Sequence, residues 1–264
     1  YTTLFRSTTE MAAPSPSRSP APVRAPFEAR GHVVALLDCS GSMEWSTSQG
    51  QEPAPSRISM MIHLTKMLAK TFNSNGYHFS IMKFSSDCTS VGTDKMDSVP
   101  DHIIEGLRPE GGTDMVTALT TAVSKHGYTP TYIMFTDGEP NPGTEAMTVR
   151  SVKSFAAESP DFKLHVVGFG PRLNDDVMRS LATSGRGTYT YIFDIKTSSV
   201  MMSSLVAFLI TKPAIMAPAD ETIYRSFVAE LETARKARST DALREKLARL
   251  PQTTYSKALL DDVL

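Results

Sequence analysis

Cysteine is scarce in this chain, and neither charge sign predominates. The 264 residues include two cysteines, Cys39 and Cys88, which are too few for a disulfide-rich secreted scaffold. Each follows a predicted strand, so a bridge between them is conceivable, but we expect two free thiols in a reducing compartment. Lysine and arginine number 27 against 28 aspartates and glutamates, a net charge of -1. This balance creates no field that recruits nucleic acid or anionic lipid, so a partner must be recognised locally.

Long apolar runs are also missing. The most apolar late segment, Val200–Ile215, is interrupted by two serines, Lys212 and Pro213, and is shorter than the roughly 20 residues of a membrane-spanning helix. We interpret it as a buried helix. The residues before the proline-rich tract at 12–27 contain no apolar core of a secretory signal. We therefore expect a cytoplasmic protein with no membrane partner.

The sequence lacks the signatures of common enzyme sites. Its six histidines form no i, i+4 pair, so a zinc hydrolase has no support. It contains no P-loop lysine motif and no nucleophile elbow. Gly168 and Gly170 (GFG) do not form the full glycine fingerprint of a dinucleotide-binding site. They also follow a late strand, whereas that fingerprint follows the first strand. An enzyme on a Rossmann-like sheet is therefore the weakest of three functional hypotheses.

Short apolar segments alternate with segments of helical periodicity from residue 32 onwards. His32–Leu37 has no alternating polarity, as in a strand buried on both faces. Arg57–Phe72 has apolar residues at helical spacing after a capping Ser56. Further strands are predicted at Tyr77–Phe84, Thr89–Thr93, Thr131–Phe135, Lys163–Phe169 and Thr188–Phe193, and helices at Ile103–Leu107, Met115–Ser124, Thr144–Ala157, Asn174–Ala182 and Ser198–Thr211. This order predicts an α/β fold, a doubly wound, mostly parallel sheet with helices on both faces.

Both ends of the chain differ in composition from this middle part. Residues 12–27 are mostly alanine, proline, serine and arginine, so we expect residues 1–30 to form a disordered tail. Tyr1–Ser7 (YTTLFRS) reads like a translated sequencing adaptor, and our hypothesis is that residues 1–10 are an artefact and Met11 is the natural start. Residues 212–264 have apolar residues at helical spacing and predict a C-terminal helical extension. No further predicted helix or strand follows to complete the extension, so whether it is truncated is left open.

Oxygen-bearing side chains occur in three loops of the predicted fold. Asp38, Ser40 and Ser42 follow the first strand, Thr113 opens a helix, and Asp137 follows a third buried strand. The carboxyl ends of parallel strands meet at one edge of a sheet, so these side chains should lie together. Carboxylates and hydroxyls suit Mg²⁺, Mn²⁺ or Ca²⁺ better than Zn²⁺ or copper. The sequence therefore predicts a magnesium-type site, in which Asp114 is interpreted as a helix cap rather than a ligand.

Three motifs carry a resemblance to a known family. The motifs are DCSGSM at Asp38–Met43, GGTD at Gly111–Asp114 and FTDG at Phe135–Gly138. In this order they resemble the motifs of a von Willebrand factor type A domain of intracellular type. The resemblance covers about residues 31–211. It implies a Rossmann-like strand order with one antiparallel edge strand, for which Thr89–Thr93 is the candidate. It also implies a complete metal-ion-dependent adhesion site, at Asp38, Ser40, Ser42, Thr113 and Asp137.

The same resemblance implies a role for each site residue. Ser40 and Ser42 would bind the cation directly, Thr113 directly or through water, and Asp38 and Asp137 largely through waters. A cation with few carboxylate ligands retains affinity for the Asp or Glu of a partner protein. The implied function is a non-enzymatic protein-binding module that depends on a divalent cation.

Three residues near the predicted ligands are candidates for contacts with a partner: Glu44, Trp45 and Glu139. The alternatives are that Trp45 packs on its own loop and that Glu139 is a turn residue facing water. In a third functional hypothesis, the domain is a structural part of a larger intracellular assembly. The helical extension weakly resembles segments that follow such domains in larger intracellular proteins, some of which are linked to ubiquitin transfer. In that case the cation only holds the three loops together.

Overall fold

Six strands form one sheet with the first strand near its middle. The computed structural model describes residues 31–47, 55–92, 99–170 and 173–192. The strands are β1 (His32–Asp38), β2 (His78–Phe84), β3 (Cys88–Ser90), β4 (Thr131–Thr136), β5 (Lys163–Phe169) and β6 (Arg186–Ile192), in the order β3-β2-β1-β4-β5-β6. Neighbouring strands are parallel, except that β3 runs antiparallel to β2. The predicted doubly wound α/β sheet with an antiparallel edge strand is confirmed.

Helices connect the strands on both faces of this sheet. They are α1 (Arg57–Ser74), α2 (Asp101–Glu105), α3 (Met115–His126), α4 (Glu145–Glu158) and α5 (Asp175–Ser184), and a 3₁₀ helix, Gly41–Glu44, follows β1. Inside the described ranges the predicted helices and strands are confirmed to within two residues, apart from the edge strand. In the parts of the chain that the structure describes, no helix combines the length and the apolar character needed to cross a bilayer. The predicted tail, the helix at 198–211 and the helical extension lie outside the described residues.

The edge strand is shorter than the predicted Thr89–Thr93. Its ladder covers Cys88–Ser90, and the last contact is the Val91 N–H donating to the Ile81 carbonyl at 2.8 Å. Gly92 then has a φ of +82°, a left-handed conformation that glycine adopts without steric cost. The prediction of the strand's end was wrong because this turn interrupts a run that otherwise has β-forming residues.

The central strands are buried on both faces, which explains the missing alternation in β1. Val33, Ala35 and Leu37 pack with side chains of α1 and α2 on one face. Val34 and Leu36 pack with side chains of α3, α4 and α5 on the other face. All five are at most 2% exposed, and the burial of each valine or leucine side chain stabilises the fold by about 1.5–3 kcal/mol. The loops at the strand ends are thus anchored to closely packed strands.

Cys39 and Cys88 are free thiols, as predicted. Cys39 is buried directly after β1, and Cys88 is partly buried at the start of β3. Burial raises the pKa of Cys39 to about 12 and that of Cys88 to about 11. Neither residue therefore provides a thiolate nucleophile at neutral pH.

Three histidines meet at the amino ends of β1 and β2. His32 and His78 are paired in the sheet, and their rings stack with centroids 4.6 Å apart. The His126 ring, at the end of α3, lies 5.2 Å from that of His32, and the His32 Nε2 is 2.9 Å from the Ser80 hydroxyl. Burial, and then the charges of His78 and His126, lower the pKa of His32 from 6.5 to about 4.

This histidine cluster makes stability depend on pH on the acidic side. The folded-state pKa of His32 is below its unfolded value, so the unfolded chain binds the proton more tightly and stability is lost as pH falls from about 6.5 to 4. We expect a loss of about 1 kcal/mol, because solvent at this partly exposed ring screens the charges. Urea melts at pH 7 and pH 4.5 measure it by comparison with the wild type: His32→Gln should gain about 1 kcal/mol at pH 4.5 relative to pH 7, whereas His63→Gln, on the exposed surface of α1, should follow the wild type. An equal pH dependence in both variants would contradict this assignment.

Candidate metal centre

The carboxyl ends of β1 and β4 lie side by side where the strand order reverses. The chain proceeds outwards from β1 to β2 and β3, and then returns to β4 on the other side of β1. Leu37 of β1 pairs with Phe135 of β4, so the last residues of the two strands, Asp38 and Thr136, lie together at this edge of the sheet. Ligands of doubly wound sheets bind at such a switch point.

Asp38 is fully buried and is held by two hydrogen-bond donors. Its carboxylate accepts from the Ser40 N–H at 2.9 Å and from the Thr136 hydroxyl at 2.6 Å. Burial and then the charge of Asp137 raise the pKa of Asp38 to about 7, against the lowering effect of these hydrogen bonds. Among the described residues, no lysine or arginine forms an ion pair with Asp38. Asp38 is therefore a buried carboxylate without a counter-charge.

The two serine hydroxyls of the first loop point to a common position. Ser40 precedes the 3₁₀ helix, and its carbonyl accepts a hydrogen bond from the Met43 N–H at 3.0 Å. In this tight turn the Oγ atoms of Ser40 and Ser42 lie 3.2 Å apart. Neighbouring ligands of an octahedral Mg²⁺ with bonds of about 2.0–2.1 Å lie about 3 Å apart. Ser40 is buried and Ser42 is partly exposed. The spacing fits two ligands of one cation.

The second loop is fixed to the end of β2. The Asp114 N–H donates to the Ser85 carbonyl at 2.7 Å, and the Asp114 carboxylate accepts from the Thr117 N–H at 2.9 Å. The interpretation of Asp114 as the cap of α3 is confirmed. Thr113, directly before this cap, is 5% exposed.

Hydrogen bonds tie the three loops to one another. The Gly41 N–H donates to the Gly111 carbonyl at 3.1 Å, which joins the first loop to the second. Asn141 joins the second loop to the third, since its Oδ1 accepts from the Thr113 N–H at 2.8 Å and its own N–H donates to the Thr113 carbonyl at 3.0 Å. The Thr136 hydroxyl joins the third loop to the first. The three oxygen-bearing loops thus form one connected edge.

Asp137 is fully buried like Asp38, but it has a cationic partner. The Arg57 Nη1 donates to the Asp137 Oδ2 at 2.5 Å, and the Arg57 side chain is 2% exposed. Sequence reasoning placed Arg57 only at the start of a helix and missed its role, as it missed Thr136 and Asn141. An arginine at a helix start gives no sign that its side chain turns inwards.

The three residues predicted to contact a partner differ in their exposure. Trp45 is 50% exposed, and the Arg57 Cζ lies 5.4 Å from its ring centroid. Glu44 is exposed and Glu139 is partly buried. The Trp45 ring therefore has one accessible part and one part against the buried guanidinium.

The donor set fits a hard divalent cation. Two buried carboxylates and three hydroxyls come from the three connected loops, and Arg57 balances only one of the two negative charges. In the described ranges, no group of three or more histidine, cysteine, aspartate or glutamate side chains is arranged to hold a metal. The candidate site thus depends on its serine and threonine oxygens, which suit Mg²⁺ or Mn²⁺.

Comparison with known proteins agrees with the three motifs and the strand order. The sequence profile described as von Willebrand factor type A domain matches residues 31–191, more than half of the chain. The chain belongs to the von Willebrand factor type A domain family. Domains of this family are generally interaction modules rather than enzymes, and they commonly mediate metal-dependent protein interactions. No curated protein matches the chain significantly.

Several solved structures share the fold of this von Willebrand factor type A domain. BatB from Bacteroides thetaiotaomicron aligns with a TM-score of 0.51 at 18% identity, over 69% of this chain and 99% of BatB. A von Willebrand factor type A protein from Catenulispora acidiphila aligns with a TM-score of 0.53 at 19% identity, over 69% of this chain and 43% of that protein. Proximal thread matrix protein 1 of the mussel byssus aligns with a TM-score of 0.53 at 17% identity, over 69% of this chain and 46% of that protein. That structure has a zinc-occupied metal-ion-dependent adhesion site (MIDAS) motif. This chain thus spans less than half of the last two proteins.

Proposed function

We propose that this domain binds a partner protein through a divalent cation held by Asp38, Ser40, Ser42, Thr113 and Asp137. Mg²⁺ is the expected cation, with Mn²⁺ or Ca²⁺ as alternatives. A bound cation would supply a positive charge and a coordination position for an Asp or Glu of the partner. The chain's own residues orient the oxygens, hold the two buried aspartates in place and present the site at one edge of the sheet. No catalytic residue is part of this proposal.

The uncompensated charge of Asp38 is the observation that carries the proposal. A buried carboxylate is costly unless a cation neutralises it. Arg57 is already paired with Asp137, and Asp38 has only neutral hydrogen-bond donors among the described residues. A cation beside the Ser40 and Ser42 hydroxyls would remove this cost.

The mussel byssus protein provides independent support. Its structure has a zinc-occupied MIDAS motif, and its fold matches this chain with a TM-score of 0.53. A fold of this kind therefore accommodates a divalent cation at that motif. The oxygen donors of the present chain favour Mg²⁺ or Mn²⁺ over zinc.

The exposed side of Trp45 supports a protein partner. Large aromatic side chains contribute strongly to protein interfaces, and this ring is 50% exposed next to the first ligand loop. We assign Trp45, Glu44 and Glu139 as the residues that contact the partner around the cation. An intracellular location belongs to the same proposal and is supported by the free thiols Cys39 and Cys88.

Metal-dependent stability and metal-dependent capture together test the proposal. Mg²⁺ at 100 times its dissociation constant should stabilise the wild-type chain by about 2–3 kcal/mol in a thermal melt. Ser42→Ala should weaken Mg²⁺ binding about tenfold, because it removes one ligand oxygen. The matched control is Ser124→Ala, which removes an exposed hydroxyl of α3 and should change nothing.

The capture step separates a binding module from a structural one. Protein retained from a cell lysate by the wild-type chain in Mg²⁺ should be lost in chelator and with Ser42→Ala, and kept with Ser124→Ala. Equal retention in chelator, with Mg²⁺ still raising the melting temperature, would favour a cation that only holds the loops together. A melting temperature that no divalent cation changes would contradict the cation site itself.

A further inference from the structure

Arg57 is a buried charge at the first position of α1. Its N–H donates to the Trp45 carbonyl at 2.9 Å, which fixes the start of the helix beside the first ligand loop. Its side chain is 2% exposed and extends to the third loop, where Nη1 donates to the Asp137 Oδ2 at 2.5 Å. The same Nη1 lies 3.4 Å from the Ser42 carbonyl. One guanidinium thus contacts both the first and the third loop of the candidate site.

The guanidinium lies in a cradle with an aromatic ring on one side and a glycine on the other. Its Cζ lies 5.4 Å from the Trp45 ring centroid, within reach of a cation–π interaction. At Gly170, after β5, an added Cβ would lie 2.5 Å from the Arg57 Nε, so only a residue without a side chain leaves room for this guanidinium. The buried Nε has no hydrogen-bond partner among the described residues. The ion pair with Asp137 therefore positions Arg57 more than a complete set of hydrogen bonds does.

The charges of the site define what Arg57 does to a cation. Asp38 and Asp137 carry two negative charges when both are ionised, and Arg57 carries one positive charge that contacts Asp137 directly. A divalent cation near Asp137 shares this carboxylate with the guanidinium and is repelled by it. Two like charges a few ångströms apart in a protein interior repel each other strongly, because water screens them less there than at the surface.

We propose that Arg57 is a built-in competing cation, which neutralises Asp137 when no metal is bound and lowers the affinity of the site for divalent cations. This inference rests on the proposed function, because it concerns the cation that the proposal assigns to Asp137. Arg57 then keeps the metal-free site folded. It also leaves the metal-loaded site with a net positive charge of one, which suits an anionic partner group.

Manganese binding to the full chain with Arg57 replaced tests the role of this residue. Arg57→Gln keeps a hydrogen-bond donor for Asp137 without the charge, Arg57→Met removes both, and Arg57→Lys retains the charge. Titration calorimetry with Mn²⁺ should give a dissociation constant at least about tenfold lower for Arg57→Gln and Arg57→Met than for the wild type. Arg57→Lys should stay within about threefold of the wild type. Arg150→Met is the matched control, since it removes the same charge from the exposed surface of α4 and should leave the constant unchanged.

Thermal melts of the same variants add a second readout. Without metal, Arg57→Gln and Arg57→Met should melt below the wild type, because Asp137 loses its counter-charge. Saturating Mn²⁺ should raise their melting temperatures more than that of the wild type. If Arg57→Met does not fold without metal, Arg57→Gln decides the outcome.

The results separate this inference from the proposed function. Wild-type binding together with equal or weaker binding by folded Arg57→Gln would overturn the inference alone and leave a structural role for Arg57. Absence of Mn²⁺ binding by the wild type and by Arg57→Gln would overturn the proposed function and the inference with it. Binding by Arg57→Gln but not by the wild type would support the competing charge and overturn a cation-dependent function of the wild-type chain.

Discussion

Asp38→Asn is expected to stabilise the metal-free protein at pH 8 and to abolish its stabilisation by Mg²⁺. The Asp38 carboxylate is fully buried, and its folded-state pKa of about 7 lies above the ordinary value of 3.8. The folded state therefore binds the proton more tightly than the unfolded state, and stability falls as pH rises from about 4 to 7. Asparagine does not carry this charge, so the free energy of unfolding in chelator should rise by about 2–4 kcal/mol.

The same substitution removes half of the negative charge available to a divalent cation. We expect Mg²⁺ affinity to fall by about 100-fold or more, and the melting-temperature shift with Mg²⁺ to disappear. Asp114→Asn is the matched control, because Asp114 caps α3 and asparagine caps helices equally well. Thermal melts at pH 8 with chelator and with Mg²⁺ measure both effects. A less stable metal-free Asp38→Asn protein, or one that Mg²⁺ still stabilises, would show that Asp38 is not an uncompensated site carboxylate.

Gly187→Ala is expected to destabilise the domain by about 3 kcal/mol or more. Gly187 lies in β6, where the pairing with β5 shifts register between Leu164 and Val166. A Cβ at Gly187 would lie 1.9 Å from the Leu164 carbonyl oxygen and 2.4 Å from its carbon. These are backbone atoms of a buried strand, so the two strands must separate to make room. Urea unfolding measures the loss.

Gly127→Ala distinguishes this contact from the general cost of replacing a glycine. Gly127, after α3, has a φ of +78° and no atom within 4 Å of an added Cβ. Alanine there causes only backbone strain, about 1–3 kcal/mol, because its ψ of -164° at this positive φ lies in a region that glycine alone adopts readily. A Gly187→Ala protein no less stable than Gly127→Ala would mean that β6 moves away from β5 at little cost.

The fold and the meeting of the site residues follow from local patterns. Apolar segments without alternation predicted strands buried on both faces, and β1 packs its odd and even residues on opposite sides. Parallel strands end at the same edge, so Asp38 at the end of β1 and Asp137 after β4 had to be close once these strands were neighbours. The three motifs and the strand alternation led to the same edge independently.

The contacts that complete the site depend on side-chain directions that local patterns do not contain. Arg57 belongs to an amphipathic helix in the sequence, yet its guanidinium crosses to Asp137, 80 residues later in the chain. Asn141 lies between two prolines in a predicted loop, and its pairing with Thr113 becomes visible only when both loops are placed. The close approach at Gly187 likewise depends on a register shift between two strands.

The cation site can be tested by growing crystals with Mn²⁺ and recording anomalous scattering at the manganese edge. We expect one strong peak between the Ser40 and Ser42 hydroxyls, on the side facing Thr113 and Asp137. No peak at saturating Mn²⁺, or a peak only elsewhere, such as at the His32 cluster, would contradict it.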